Sequence, residues 1–214
     1  MRIPGVHRPC SDTWLLADAL RREALRGRAV ADLCTGSGAL AIVAAREGAR
    51  PVVGVDVSWR SLVAAHINAR LNDCAVQARH GDLFAALGED RFDVIACNPP
   101  YVPAPTDELP RHRSTTPLDG GRDGRAIVDR VCREAPMHLR PGGALLLVHS
   151  SVCGVQQTCR LLREHGLQDE VVIRVPGPLG PVLAGRAAML RERGLLGGAD
   201  AEEELVVIRG RAGV

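Results

Sequence analysis

The sequence predicts one α/β domain built on a mostly parallel sheet. Three observations predict it. Short apolar runs alternate with amphipathic stretches along the chain, a glycine-rich turn joins the first run to a helix, and carboxylates stand at the ends of successive runs.

The elements follow in order. Residues 14–25 place Trp14, Leu15, Leu16, Ala19, Leu20, Ala24 and Leu25 at helical spacing, with Ser11 or Asp12 available as the cap. Residues 1–28 are a helical lead-in to a single domain spanning 1–214. Residues 29–33 read as a buried strand, and 39–47 as a helix stopped by Gly48. Residues 52–56 form a second strand. Helix 59–71 follows, with Trp59, Leu62, Val63, His66 and Ile67 on one face. Strands at 76–80 and 92–97 come next, then a loop over 102–120 rich in Pro, Thr and Arg. Helix 124–135 leads to a Pro141-Gly142-Gly143 turn, strand 144–149 and helix 152–165. Strands near 170–175 and 204–209 finish the domain. The Gly/Pro-rich stretch 176–200 is long for a plain connection and reads as a loop or a broken helix.

Composition narrows the function. The 214 residues can bury one sizeable core, and 46% hydrophobic content excludes a disordered chain. Aromatics are 2%, so that core is made of Ala, Val, Leu and Ile. A net charge of +2 argues against a dedicated nucleic-acid binder, which carries a stronger basic excess. The seven cysteines are odd in number and form no C-x-x-C pair. Reduced thiols in a cytoplasmic protein are expected rather than a disulfide framework, and the His and Cys spacings predict no metal site. The first ten residues lack an apolar core and no run reaches 18 apolar residues, so neither a signal peptide nor a membrane span is expected.

The first chemical signal is the turn Asp32-Leu33-Cys34-Thr35-Gly36-Ser37-Gly38 between a strand and a helix. Glycines there let the backbone turn tightly and approach a ligand, and the next helix aims free N–H groups at the turn. Gly36 to Ala41 also fits the dinucleotide pattern G-x-G-x-x-G/A, and Asp56 stands 18 residues past Gly38, where a ribose would be held. Asp32 separates the two readings. A carboxylate at the first strand's end repels a pyrophosphate but pairs with the cationic methionine end of S-adenosyl-L-methionine. Asp82, in Gly-Asp-Leu-Phe, can accept from an adenine amino group. A nicotinamide oxidoreductase is the rival of another class.

The most specific signal is Asn98-Pro99-Pro100-Tyr101 at the end of an apolar strand. The Asn98 side-chain oxygen and the Pro99 carbonyl are two acceptors on a stiff backbone, with no local N–H from Pro99 or Pro100 to compete. Two acceptors facing one NH2 group orient its delocalised lone pair towards a methyl donor, and Tyr101 offers a face for a planar group. Adenine amino groups, small-molecule amines and glutamine amides all satisfy that chemistry.

These motifs, with Ser11-Asp12-Thr13, Gly81-Asp82-Leu83-Phe84 and the run from Leu118 through Gly120, Gly121 and Gly124 to Arg125, resemble the HemK-type (PrmC-like) glutamine methyltransferases over about 11–150. The short branch of eukaryotes and archaea is the nearest in length. The resemblance implies a Rossmann-like, seven-stranded sheet with an antiparallel last strand. It implies S-adenosyl-L-methionine as cofactor, contacted by Thr13, Asp32, Cys34, Gly36, Gly38, Asp56, Asp82, Leu83 and Asn98. It further implies catalysis at Asn98, Pro99, Pro100 and Tyr101, a translation release factor as protein substrate, and a small activator subunit in some members. The 120–125 segment would form the substrate side. Ser11-Asp12-Thr13 lacks the acidic residue usual before the Asp-Thr pair, and 176–200 has no counterpart.

Two weaker features remain. Arg111, His112, Arg113, Arg122, Arg125 and Arg130 read as a solvated basic loop, with contact to a release factor or RNA as the alternative. His149-Ser150-Ser151 ends a strand, but no G-x-S-x-G elbow exists to support a hydrolase.

Overall fold

The structure is a computed structural model and describes residues 4–108, 118–197 and 202–214. Its strands are β1 (Val30–Leu33), β2 (Val52–Asp56), β3 (Gln77–His80), β4 (Phe92–Cys97), β5 (Leu139–Ser150), β6 (Gln168–Gly177) and β7 (Glu203–Arg211). They form one seven-stranded sheet in the order β3-β2-β1-β4-β5-β7-β6. β7 runs antiparallel to both β5 and β6, and the pairs from β3 through β5 are parallel, as the resemblance implied.

The helices are α1 (Ser11–Arg22), α2 (Ala39–Arg46), α3 (Trp59–Leu71), α4 (Ala126–His138), α5 (Val155–Glu164), α6 (Pro181–Gly185) and α7 (Ala187–Glu192). β1 and β4 are covered on both faces. Leu33, Ile95, Leu145 and Leu147 pack with Val128, Val131 and Leu162 of α4 and α5 on one side. Val30, Val94 and Leu146 pack with Leu16, Leu20 and Leu40 of α1 and α2 on the other. Aliphatic runs without alternation suit strands buried in this way.

Several expectations are corrected. α1 starts at Ser11 with Cys10 in the cap position, so Ser11 and Asp12 lie in the first turn and are not the cap. α3 packs inward through Ser61, Leu62, Ala64, Ala65, Asn68 and Ala69, whereas Trp59 and Val63 are 63% and 50% exposed. Size misled there: small residues let α3 sit close to the sheet. Pro141, Gly142 and Gly143 lie within β5, at a register shift against β4, and do not form a separate turn. Helix 152–165 is divided by Gly154, with a 3-10 turn at Ser151–Cys153 before α5. The 176–200 stretch holds the end of β6, α6 and α7, with 198–200 outside the described residues. Among the described residues no helix is long and apolar enough to cross a membrane, and no group of three His, Cys, Asp or Glu could hold a metal ion. All seven cysteines are free thiols.

Candidate active site at the carboxyl rim of the sheet

Leu33 pairs with Cys97 across β1 and β4, so Cys34 and Asn98 leave neighbouring strands side by side. That register brings the glycine turn and the 98–101 run to one rim, where open α/β sheets bind their ligands.

Asp32 lies inside β1 and is 1% exposed. Its Oδ2 accepts from the Thr35 hydroxyl at 2.6 Å and the Ala41 N–H at 3.0 Å. Its Oδ1 is buried with no partner. Burial, with the charge of Asp56 adding, pushes the Asp32 carboxyl up to about 7, while the two hydrogen bonds oppose the shift. A buried carboxylate oxygen without a donor fits a cationic ligand group. The two turn glycines answer different needs. Gly38 has φ +82° and a Cβ there would meet Ala65 of α3 at 2.9 Å. At Gly36 a Cβ would meet nothing closer than 3.9 Å, so that side of the turn is open to a ligand. Cys34 takes φ +56° without being glycine, and its side chain packs on the core beside Cys97.

Asp56 ends β2. Its carboxylate accepts from Gly36 N–H and Ser58 N–H, each at 2.9 Å, which ties the second strand end to the turn of the first. Burial raises its carboxyl above the usual range. Asp82 sits differently. Its carboxylate is half-exposed and held by Arg130 at 3.0 and 3.1 Å, so an adenine amino group would compete with an ion pair. The Leu83 side chain is 4% exposed and belongs to the core, which leaves only its backbone, at φ +49°, to meet a ligand.

Asn98 carries the rim of β4. Its Nδ2 donates to the Thr13 hydroxyl at 3.1 Å, across 85 residues. Thr13 also accepts from Cys10 N–H at 3.3 Å and donates to Asp12 Oδ1 at 3.2 Å, so its hydroxyl is fully committed within the protein. Tyr101 donates its phenol to Asp12 Oδ2 at 2.9 Å. Burial first, and the Asp12 charge second, push that phenol upward, so it stays protonated. The Asn98 amide is thereby held by its Nδ2, with its Oδ1 at the other end of the same group.

The segment behind Tyr101 accounts for the Asp-Gly-Gly-Arg-Asp-Gly-Arg run. Val102 bridges to Asp119, and Cys153 donates its thiol to the Tyr101 carbonyl at 2.9 Å. A Cβ on Gly124 would stand 2.2 Å from that same carbonyl oxygen, and one on Gly120 would stand 2.6 Å from the Pro100 carbonyl oxygen. The outer support is the stretch that sequence left unassigned. Leu183 and Leu190 pack with Val102 and Val152, with Tyr101 against them. Arg186 donates to the Pro103 carbonyl at 2.8 Å and pairs with Asp119 at 2.7 Å. Arg193 donates to the Ala104 and Arg122 carbonyls at 2.7 and 2.8 Å.

The expected basic loop is not one unit. Arg111, His112 and Arg113 lie outside the described residues. Arg125 is 3% exposed, with its guanidinium donating to Cys153, Gly154 and Thr158 and pairing with Asp129. It is a structural cation, and the solvated reading fails for it. His149 is fully buried, donates from Nδ1 to the Ser150 carbonyl at 2.8 Å, and has an unpartnered Nε2. Sequence reasoning offered Asp12 only as a helix cap, and it gave no role to Cys153, Arg186 or Arg193. Their partners are 52 to 89 residues away, and no local spacing announces such pairings.

Residues 9–109 match the model of the methyltransferase small domain. A Methanocaldococcus jannaschii protein, provisionally described as a protein N5-glutamine methyltransferase, is 34% identical over 82% of this chain and 87% of its own. The release factor glutamine methyltransferase of Geobacter sulfurreducens is 32% identical over 86% of this chain. The ribosomal protein uL3 glutamine methyltransferase of Bradyrhizobium diazoefficiens is 40% identical over 69% of it. The chain spans only 66% and 44% of those two bacterial relatives. Among solved structures, the E. cuniculi Mtq2–Trm112 complex, described as responsible for methylation of the eRF1 termination factor, has a similar fold. It shows 24% identity and a TM-score of 0.66 over 97% of this chain and 98% of that one. A T. thermophilus 16S rRNA N2 methyltransferase bound to AdoMet and guanosine shows 26% identity and a TM-score of 0.62, over 98% of this chain and 46% of that one.

Proposed function

The chain belongs to the protein N5-glutamine methyltransferase family, and from that premise we propose that it methylates the side-chain amide of the Gly-Gly-Gln glutamine in a translation release factor. It is a methyltransferase and its cofactor is S-adenosylmethionine.

The observation that carries the acceptor reading is the orientation of Asn98. With Nδ2 spent on Thr13, its other amide atom, Oδ1, is the one left to receive an acceptor N–H. Asn98 Oδ1 and the Pro99 carbonyl then accept the two N–H bonds of a primary amide. A glutamine NH2 supplies two donors in one plane, as an adenine amino group also does, and the kinship with glutamine methyltransferases is what favours the amide.

S-adenosylmethionine, when bound, supplies an electrophilic methyl group on a sulfonium. In our reading Asp32, with its orphaned Oδ1, pairs with the cofactor's cationic amino-acid end, Gly36 leaves room for its backbone approach, and Asp56 stands where the ribose hydroxyls would lie. Cys34, Gly38, Asp82 and the Leu83 backbone complete that proposed shell, and Thr13 borders it with its hydroxyl committed to Cys10, Asp12 and Asn98. Asn98 and Pro99 hold the amide nitrogen so that positive charge grows on it between two oxygen dipoles, an arrangement that stabilises the transition state more than the ground state. Once that nitrogen has received the methyl group, one of its protons would become acidic and would leave to solvent. Tyr101 is not its base, since the phenol is already protonated.

Tritiated-methyl transfer from S-adenosylmethionine to purified release factor tests the reading, run beside ribosomal protein uL3 and with an E. cuniculi-type partner subunit present or absent. Label on the release factor that disappears with a Gln→Ala change in Gly-Gly-Gln is the expected result. Label on uL3 alone would move the acceptor, and label on nucleic acid with none on protein would overturn the proposal.

A further inference from the structure

Asp12 is a buried carboxylate whose two oxygens serve two different walls of the acceptor site. Oδ1 accepts from Thr13 N–H at 2.5 Å and from the Thr13 hydroxyl at 3.2 Å, and Oδ2 accepts from the Tyr101 phenol at 2.9 Å. Only 7% of Asp12 is exposed. An ionised carboxylate can only accept. The Thr13 hydroxyl has one proton, and facing Asp12 it must give that proton there. Its lone pairs are then left for donors, and the donor that arrives is Asn98 Nδ2 at 3.1 Å.

We propose that Asp12 is the positioning residue of the acceptor site: it sets the polarity of Thr13, Thr13 sets which end of the Asn98 amide faces the acceptor, and the second oxygen of Asp12 holds Tyr101 in place. This rests on the acceptor reading given above. Without the carboxylate, the Thr13 proton is free to point at Asn98. The amide can then turn over, placing Nδ2 against the acceptor NH2, donor against donor. Both hydrogen-bonding arms cross from the first helix to the 98–101 run, so α1 serves the chemistry as well as the core.

The chain has one tyrosine, Tyr101, so its Raman ring bands report this phenol without overlap from another. In Asp12→Asn, kcat should fall at least about tenfold with cofactor affinity by calorimetry held within about threefold. The tyrosine doublet should move away from the strong-donor ratio. Thr13→Val cuts the relay in its middle: kcat should fall similarly with the tyrosine bands unmoved, and Thr13→Ser should restore turnover. Should Asp12→Asn not fold by circular dichroism, the Thr13 pair carries the test. Full kcat in Asp12→Asn or in Thr13→Val overturns the proposal, as do tyrosine bands in Asp12→Asn that superimpose on those of the parent chain. A parent chain that labels no glutamine sinks the acceptor reading instead, and is recognised because no variant is involved.

Discussion

The Tyr101 phenol and the Asp12 carboxylate meet at 2.9 Å across 89 residues of chain, which fastens the acceptor wall to the first helix. Removing the phenol leaves a buried carboxylate oxygen without its donor. Tyr101→Phe should therefore cost about 1–3 kcal/mol of stability. Urea unfolding followed by tryptophan fluorescence measures it, Trp14 being on the same helix. An unchanged midpoint at unchanged slope would show that the contact contributes nothing.

In the proposed acceptor site Asn98 would contribute an acceptor that a shorter side chain cannot replace. Asn98→Ala should lower kcat for methyl transfer by about 10²–10³, the usual loss when one preorganised dipole is removed from a polar transition state. Single-turnover kinetics at saturating cofactor read it. A loss confined to KM would mean that Asn98 binds the acceptor without acting on the chemical step.

Gly124 is constrained by a close approach. Its φ is +78°, and an added Cβ would stand 2.2 Å from the Tyr101 carbonyl oxygen, which also accepts the Cys153 thiol. Gly124→Ala should displace the run that ends in Tyr101, costing more than about 2 kcal/mol and most of the activity. Gly177→Ala is the control, since nothing lies within 4 Å of a Cβ there. Equal melting temperatures for the two variants would contradict the packing argued for this loop.

The sequence carried the parallel sheet and its rim because their signals are local. An apolar run that closes on Asp56 or Asn98 places each side chain at a strand end whatever the rest of the chain does, and Asp32 falls one residue short of the end of β1. The inward face of α3 was misread because Trp59 and Val63 look like core residues, while the helix packs through Ala64, Ala65 and Ala69. The roles of Asp12, Cys153 and Arg186 were illegible for another reason: each depends on an atom brought near only by the complete fold, and in two of the three cases that atom is a backbone carbonyl, which no residue type marks.

Arg186 ties the α6–α7 pair to the loop beyond Tyr101, through Asp119 at 2.7 Å and the Pro103 carbonyl at 2.8 Å. Neither partner belongs to the cofactor turn. Arg186→Ala should raise the acceptor KM by about tenfold while cofactor affinity stays the same. Parallel calorimetry and initial-rate measurements separate the two, and an equal loss in both would place the α6–α7 pair in general stability instead.

Asp32 links pH to stability and, where it pairs with the cofactor as proposed, should link pH to cofactor binding as well. Its carboxyl lies at about 7 in the folded protein against 3.8 as the ordinary value, so between those limits the folded state holds a proton that the unfolded state has lost. Stability from this group is fully present below about pH 4, falls as pH rises, and is gone above about 7, a swing of up to about 4 kcal/mol at 1.36 kcal/mol per unit. His149 acts oppositely in the same window: burial lowers it from 6.5 to about 4, so its contribution is lost as pH falls from 6.5 towards 4. Comparing Asp32→Asn with the parent chain cancels His149. The cofactor-free variant should melt progressively higher than the parent as pH is raised from 5 to 8. Cofactor affinity of the parent should fall up to about tenfold per unit below pH 7, because the cation requires the ionised carboxylate. In Asp32→Asn that slope should vanish with most of the affinity. A parent chain whose affinity is flat from pH 6 to 8 would mean that Asp32 Oδ1 does not face the cofactor's charge.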